Sequence, residues 1–392
     1  MVIIDLNDLI EKQKPVMLER RRHFHKFPEL SYEEHETAGF VYKILEALGK
    51  LELSKPTSTS VMARLLGSEP GKVLVIRADI DALPLQEEND LDYVSQNNGV
   101  MHACGHDGHI AMLLSVAEIL SGLQKQIKGE VRFIFQHAEE KHPPGGAEEL
   151  IQAGVMENVD CVIGAHLWVP LEVGKIGIAY GSMMAAPDIF KLTIKGRGGH
   201  AASPHQTIDA IAIGVQVVTN LQHIVARNTD PLDNVVVSVT QFIGGTKDNI
   251  IPSTAELCGT VRTLDAKIRQ EIPQLMERIV KGITEAHGAT YDFSYHFGYR
   301  PVVNSEEVTR VIADTVQAVL GEAALTIVKP SMGGEDFSAY LQKAPGAFFF
   351  IGAGNQAKGL SDPHHHPSFN FDEDALVNGV KLFVCSALKL LS

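Results

Sequence analysis

At 392 residues the chain is long for one domain and favours two. Hydrophobic residues make up 45% and charged residues 21%, an ordinary globular balance that buries a core without staples. Thirty-four Lys and Arg stand against 48 Asp and Glu, a formal charge of -14, which argues against a nucleic-acid or anionic-membrane partner because both need a basic face. The first residues, "MVIIDLNDLIEKQKP", meet charge after a short apolar start and do not read as a signal peptide. No later run reads as a bilayer span. Cys104, Cys161, Cys258 and Cys385 are far apart with no paired spacing, which fits reduced thiols and a cytoplasmic protein.

In chain order, "LNDLIEKQKPVMLERRRHFHK" reads as a charged amphipathic helix, and "EEHETAGFVYKILEALGK" as a second that ends at Gly49. The short apolar runs "KVLVIRA", "EVRFIFQ", "CVIGAHL" and "AFFFIGA" read as strands, separated by helical segments such as "IAMLLSVAEILSGLQ". Such alternation predicts a mainly parallel sheet with helices on both faces. The middle of the chain differs. The segments "IFKLTIKG", "TIDAIAIGVQVVTNLQHIVA", "NVVVSVTQFIG", "STAELCGTVRT", "KIRQEIPQLMERIVKGITEAHG" and "TYDFSYHFG" give the order βαββαβ, the split βαβ unit of ferredoxin-like α+β domains. An inserted domain is therefore expected at residues 184–298, with 1–183 and 299–392 forming the α/β domain around it.

The residues just after the strands matter most. "VLVIRA" runs into Asp79 and Asp81, "VRFIFQHA" into Glu139 and Glu140, and "CVIGA" into His166. Ligands gather at the carboxyl ends of strands in open α/β sheets. Three strands thus deliver metal-type side chains to one rim, joined by Cys104 and His106 of "MHACGHDGH". The apolar periodicity starts the next helix at about Ile110, which leaves Cys104 and His106 in a loop where both can turn toward one point. A structural zinc site normally uses four ligands in close pairs, and no second pair is present. A redox thiol would want a resolving cysteine nearby, and none is close. Cysteine, imidazole and carboxylate together suit Zn, Mn, Co or Ni. The plain alternatives are a packing cysteine, a solvated acidic turn at "AEE" and a polar loop at "HHH".

The segments "RRRHFHKFPELSYEEHETAGFVYKIL", "IRADIDALPL", "MHACGHDGH", "QHAEE", "GAHL", "KGRGGHAASPH", "NIIP", "GGEDFSAY" and "HHPSFNFDEDAL" resemble, in this order, the M20 metallopeptidase family. The nearest branch is its aminoacylase-like group of N-acyl-amino-acid amidohydrolases, hippurate hydrolases and auxin-conjugate hydrolases. The resemblance covers nearly the whole chain. It implies a zinc-peptidase-like catalytic domain with two divalent metal ions per subunit, Mn2+ or Zn2+ before Co2+ or Ni2+. It also implies an inserted lid through which the protein forms a homodimer. By motif, the metal ligands would be Cys104, His106, Glu140, His166 and His365, the last flanked by His364 and His366. Glu139 would be the general base, Asp81 would orient a ligand, and His200 would reach from the lid. The family often has "QPAEEGGGG" where this chain has "QHAEEKHPPGG", so His137, Lys141 and His142 are additional polar groups.

The activity so implied is hydrolysis of the amide of a small N-acyl-L-amino acid. A released amino acid has a carboxylate that wants a cation; Arg262 is the candidate, through a bidentate pair, with Asn249 adding a hydrogen bond. The plain alternative for Arg262 is a surface ion pair. A carboxypeptidase or dipeptidase is the second enzymatic reading. A non-catalytic metal-binding homologue is the third, against which the Glu139–Glu140 pair argues.

Overall fold

The computed structural model describes residues 2–141 and 145–392, so His142 lies outside the described residues. The chain divides into two compact units. One comprises Met1–Met183, Val303–Lys329 and Asp336–Ser392, the other Met184–Val302 and Pro330–Glu335.

The first unit is built on an eight-stranded sheet. Its strands lie in the order Glu52–Ser54, Val61–Leu66, Lys128–Gln136, Glu69–Asp79, Cys161–Glu172, Gly346–Gly354, Ile176–Ile178 and Leu325–Ile327. The four long strands from Lys128–Gln136 to Gly346–Gly354 run parallel, and antiparallel pairs appear only toward the edges. Their near-continuous apolar runs come from burial of both faces. Leu74, Ile76, Ile163, Leu167, Phe349 and Ile351 enter the main core. On the other side Phe348 meets Phe337 at a ring separation of 5.0 Å. The helices Val2–Lys26, His35–Ala47, His106–Gly122, Glu306–Leu320 and Asp374–Leu390 contribute to the same core. No helix among the described residues is long and apolar enough to cross a membrane.

One expectation is corrected. The helix predicted from about Ile110 begins at His106, so His106 stands in its first turn and only Cys104 precedes it. His106, Asp107 and Gly108 carry no apolar period, yet all three are buried. Tertiary contacts, not the local pattern, extend the helix by a turn.

The second unit has a four-stranded antiparallel sheet in the order Val235–Gly244, Thr254–Thr263, Ala186–Lys195 and Thr290–His296. With helices Ala210–His223 and Ala266–Ala286 the chain order is βαββαβ, as the periodicity predicts. Phe190, Leu192, Ile194, Leu257 and Val261 form a core with Ile213, Val217, Ile272 and Met276 of the helices. Each helix start has its own cap. Asp209 accepts the Ile211 and Ala212 amides at 2.9 and 3.1 Å, and Asp265 accepts those of Lys267 and Ile268 at 2.8 and 2.9 Å.

Candidate metal centre

Gly105 separates Cys104 from His106 and caps the helix with φ 93°, a left-handed conformation that side chains resist. That turn lets the cysteine before the helix and the histidine inside it serve one cluster. Cys104 Sγ lies 3.3 Å from His166 Nε2. His166 sits within the Cys161–Glu172 strand, but pairing with the Glu69–Asp79 strand stops at Arg77 and Gly164. The histidine therefore stands just past the end of that ladder.

The imidazoles are oriented by carbonyls. His166 Nδ1 lies 2.7 Å from the Leu167 carbonyl and His106 Nδ1 lies 2.9 Å from that of Asp81. Only an N–H on Nδ1 satisfies those oxygens, so the Nε2 atoms carry the lone pairs of the neutral rings. His106 Nε2 is buried without a hydrogen-bond partner.

Two acidic residues come from the turn after the Lys128–Gln136 strand. Glu140 donates its backbone N–H to Asp81 Oδ2 at 2.9 Å, and Ser31 Oγ donates to the same oxygen at 2.7 Å. Asp81 thus orients His106 through its carbonyl and the Glu140 backbone through its carboxylate. His365 Nε2 is 3.2 Å from Glu140 Oε1. His365 is held at φ 66°, and its N–H donates to the Ala103 carbonyl at 2.8 Å, beside Cys104. Its neighbours go elsewhere: His364 Nε2 binds the Leu167 carbonyl at 2.9 Å, and His366 faces Asp362 at 3.9 Å.

Overlapping sets result, among them Cys104, His106 and His166; Cys104, Glu140 and His365; His106, Glu139 and Glu140; and Asp79, His106 and His109. Within each, one potential donor atom per residue lies within 4.8 Å of the others. The donor chemistry fits a transition-metal or zinc-like cation. Electrostatics agree. Burial works against a charged His106, but Asp79, Asp81 and Glu140 outweigh it and push its pKa up to about 10. Burial, then Glu140, Glu139 and Asp79, push the Cys104 thiol well above its usual range. The pocket has a surplus of negative charge that a cation neutralises, and loading would displace these protons.

His109 has no role in the sequence reading, although it belongs to "MHACGHDGH". Its Nδ1 is 2.5 Å from Asp79 Oδ1 and its Nε2 accepts the Leu167 amide at 2.9 Å. The density of histidines in that motif is the signal that could have marked it. His137 is buried, with Nε2 3.2 Å from Glu149 Oε2, and Lys141 is exposed.

His200, Asn249 and Arg262 belong to the second unit. His200 pairs in register with Ile250, and the Ala201 amide donates to the Asn249 carbonyl at 3.1 Å, so the first two are neighbours. Arg262 Nη1 contacts Thr260 Oγ1 and, at 3.2 Å, the Val261 carbonyl. Burial lowers the Arg262 pKa, opposed by the charge of Asp188.

Residues 75–389 match peptidase family M20/M25/M40. The chain is 62% identical over 303 residues to the N-acyl-L-amino acid amidohydrolase of Geobacillus stearothermophilus, spanning 77% of this chain and 82% of that one. It is 42% identical to thermostable carboxypeptidase 1 of Saccharolobus solfataricus over 97% and 99% of the two chains. A Bacillus subtilis dinuclear metal-binding peptidase of the M20 family has a similar structure, with a TM-score of 0.86 at 36% identity across 97% of this chain and 99% of its own.

Proposed function

Because the chain belongs to peptidase family M20/M25/M40, we propose that it is a metal-dependent amidohydrolase of N-acyl-L-amino acids, releasing a carboxylate and a free amino acid. N-acetyl and hippurate-like acyl groups are the proposed substrates. The observation that carries this reading is the convergence of Cys104, His106, Glu140, His166 and His365, with Glu139 next in sequence to Glu140. Two donor sets share Cys104, an arrangement suited to two neighbouring cations with a common ligand. We assign those five residues as ligands of two divalent ions per subunit, Mn2+ or Zn2+ first. The enzyme so proposed is cytoplasmic and homodimeric, with the second unit as lid and dimerisation domain.

When bound, such a metal pair lowers the pKa of a water and polarises the amide carbonyl. Glu139 takes the proton of the attacking water and passes it to the leaving amine, a role typically worth about 10²–10⁴-fold. Asp81 holds His106 and the Glu140 backbone in place. His200 supplies a hydrogen bond to the developing oxyanion. Arg262 and Asn249 hold the carboxylate of the amino-acid part.

A carboxypeptidase activity is the second reading, favoured by the Saccharolobus solfataricus relative. The test is amine release from N-acetyl-L-methionine, hippurate and a dipeptide panel, before and after chelation and with Mn2+ or Zn2+ restored. The proposal expects metal-restored release from the N-acyl amino acids. Release from peptides alone would favour the second reading, and release unaffected by chelation would overturn both.

A further inference from the structure

Glu139 sits in a turn whose two flanking residues are tied down by carboxylates from different parts of the fold. On one side Glu140 donates its amide to Asp81 at 2.9 Å. On the other, Ala138 donates its amide to Glu34 Oε1 at 2.8 Å, a contact between residues 104 apart in sequence. Both Glu34 and Ala138 are fully buried.

Ala138 has φ 51°, a left-handed conformation in which the Cβ of a non-glycine residue crowds the backbone. Strain of this kind persists only where neighbours over-determine it. Here the Ala138 amide goes to Glu34 and its carbonyl accepts the Gly146 amide at 3.0 Å. The kink turns the chain out of the Lys128–Gln136 strand and sets the direction in which the next residue, Glu139, leaves the backbone.

Glu34 is placed unusually for this task. It is the N-cap of the His35–Ala47 helix, where a short polar side chain would accept amides of its own first turn. Its side chain makes no such cap hydrogen bond. Glu29 caps that turn instead, accepting the Glu36 and Thr37 amides at 3.2 and 2.8 Å, which leaves the buried Glu34 carboxyl to reach a distant amide. Burial, with Asp81 as a like charge nearby, pushes the Glu34 pKa up to about 7. A group kept against that penalty for a backbone contact is explained by what the contact positions.

We infer that Glu34 is a positioning residue for the proposed general base: its hydrogen bond to Ala138 holds the left-handed turn that aims Glu139 at the reacting water. The inference rests on the amidohydrolase reading above and deepens it. Glu34 touches neither substrate nor the candidate ligands in this scheme and acts through the backbone alone. A neutral acceptor of the same shape should therefore replace it.

The experiment compares full-length, metal-loaded wild type with Glu34→Gln, Glu34→Ala and Glu139→Gln. It measures kcat and KM with N-acetyl-L-methionine, bound metal, and hydrogen exchange at the Ala138 amide. Glu34→Gln should keep that amide protected and kcat within about fivefold of wild type, because its carboxamide oxygen still accepts. Glu34→Ala should speed exchange at Ala138 by about tenfold or more. Its kcat should fall about 10–100-fold, with metal content unchanged and KM nearly so, the mark of a misaimed group. If the alanine variant does not fold, Glu34→Asp, one methylene shorter, takes its place in the comparison. Adding Ala138→Gly should shrink the loss to about threefold or less, since glycine holds the turn without help. Equal damage from Gln and Ala, unchanged kcat in Glu34→Ala, or an undiminished loss with Ala138→Gly would each overturn the assignment. An active Glu139→Gln would instead remove the general-base role itself, whereas an inactive Glu139→Gln beside a fully active Glu34→Ala would sink Glu34 alone.

Discussion

His109 Nδ1 stands 2.5 Å from Asp79 Oδ1, while the opposite nitrogen of the same ring accepts the backbone amide of Leu167. One imidazole thereby fastens the helix that carries His106 to the end of one strand and to the residue after His166. His109→Ala should weaken metal binding about 10–100-fold, the usual effect of removing a group that supports metal ligands. It should also destabilise the metal-free protein by about 2 kcal/mol, since Asp79 and the Leu167 amide each lose a buried partner. Competitive chelator titration and thermal melts measure the two effects. Unchanged metal affinity would show that the ring is dispensable for the site.

Cys104 should be shielded by metal. Coordination deprotonates a thiol and occupies its lone pairs. Alkylation at Cys104, tracked by mass spectrometry, should be about tenfold or more slower in loaded protein than after chelation. Cys385, which packs against the core of the first unit, serves as the internal reference and should not respond. Equal rates at Cys104 in the two states would remove it from the ligand set.

Glu34 also makes a prediction about pH. Its folded pKa of about 7 exceeds the ordinary carboxylate value, so its contribution to stability is full below that ordinary value and is lost as pH rises through about 7. Glu34→Gln escapes that loss. In chelated protein its Tm should match wild type near pH 5 and exceed it near pH 8, by the equivalent of 2–3 kcal/mol on the order-of-magnitude scale of such shifts. A Tm difference independent of pH would mean that Glu34 is ionised at neutral pH in the folded chain.

His200 and Glu139 lie in different units of the chain. We predict that His200→Ala and Glu139→Gln, each about 10²-fold or more impaired alone, restore activity when mixed and allowed to exchange subunits. A mixed dimer would hold one site with both wild-type groups if His200 serves the partner subunit. No recovery after verified exchange would place its action within its own chain or outside catalysis.

The acids and histidines at strand ends are legible in the sequence because each comes directly after a dense apolar run, and parallel strands bring their carboxyl ends to one rim. The βαββαβ order is legible for a similar reason: its strands and helices keep clean periods of two and 3.6. The features that escape are carried by contacts between distant residues. Glu34 to Ala138, His109 to Asp79 and His365 to Ala103 leave no local pattern. The run of three histidines does not itself advertise the left-handed backbone and the approach to Glu140 that set His365 apart from His364 and His366; motif resemblance alone singles it out. The first turn of the His106 helix hides for another reason, since its polar residues are buried against partners supplied by the fold.

The hydrogen bond from His365 to Ala103 joins a late-synthesised segment to an early one, and with the five proposed ligands this has a consequence for biosynthesis. The five proposed ligands run from Cys104 to His365, with the whole second unit translated between His166 and His365. A nascent chain therefore offers Cys104, His106, Glu140 and His166 well before the last histidine exists. Under that assignment a cation caught at that stage would be held by a partial set and would exchange readily with the surroundings. Closure by His365 comes only when nearly all of the polypeptide has been made. Under the proposed ligand set, the metal that stays would be chosen by what the finished protein meets after release from the ribosome, not by what the growing chain met first.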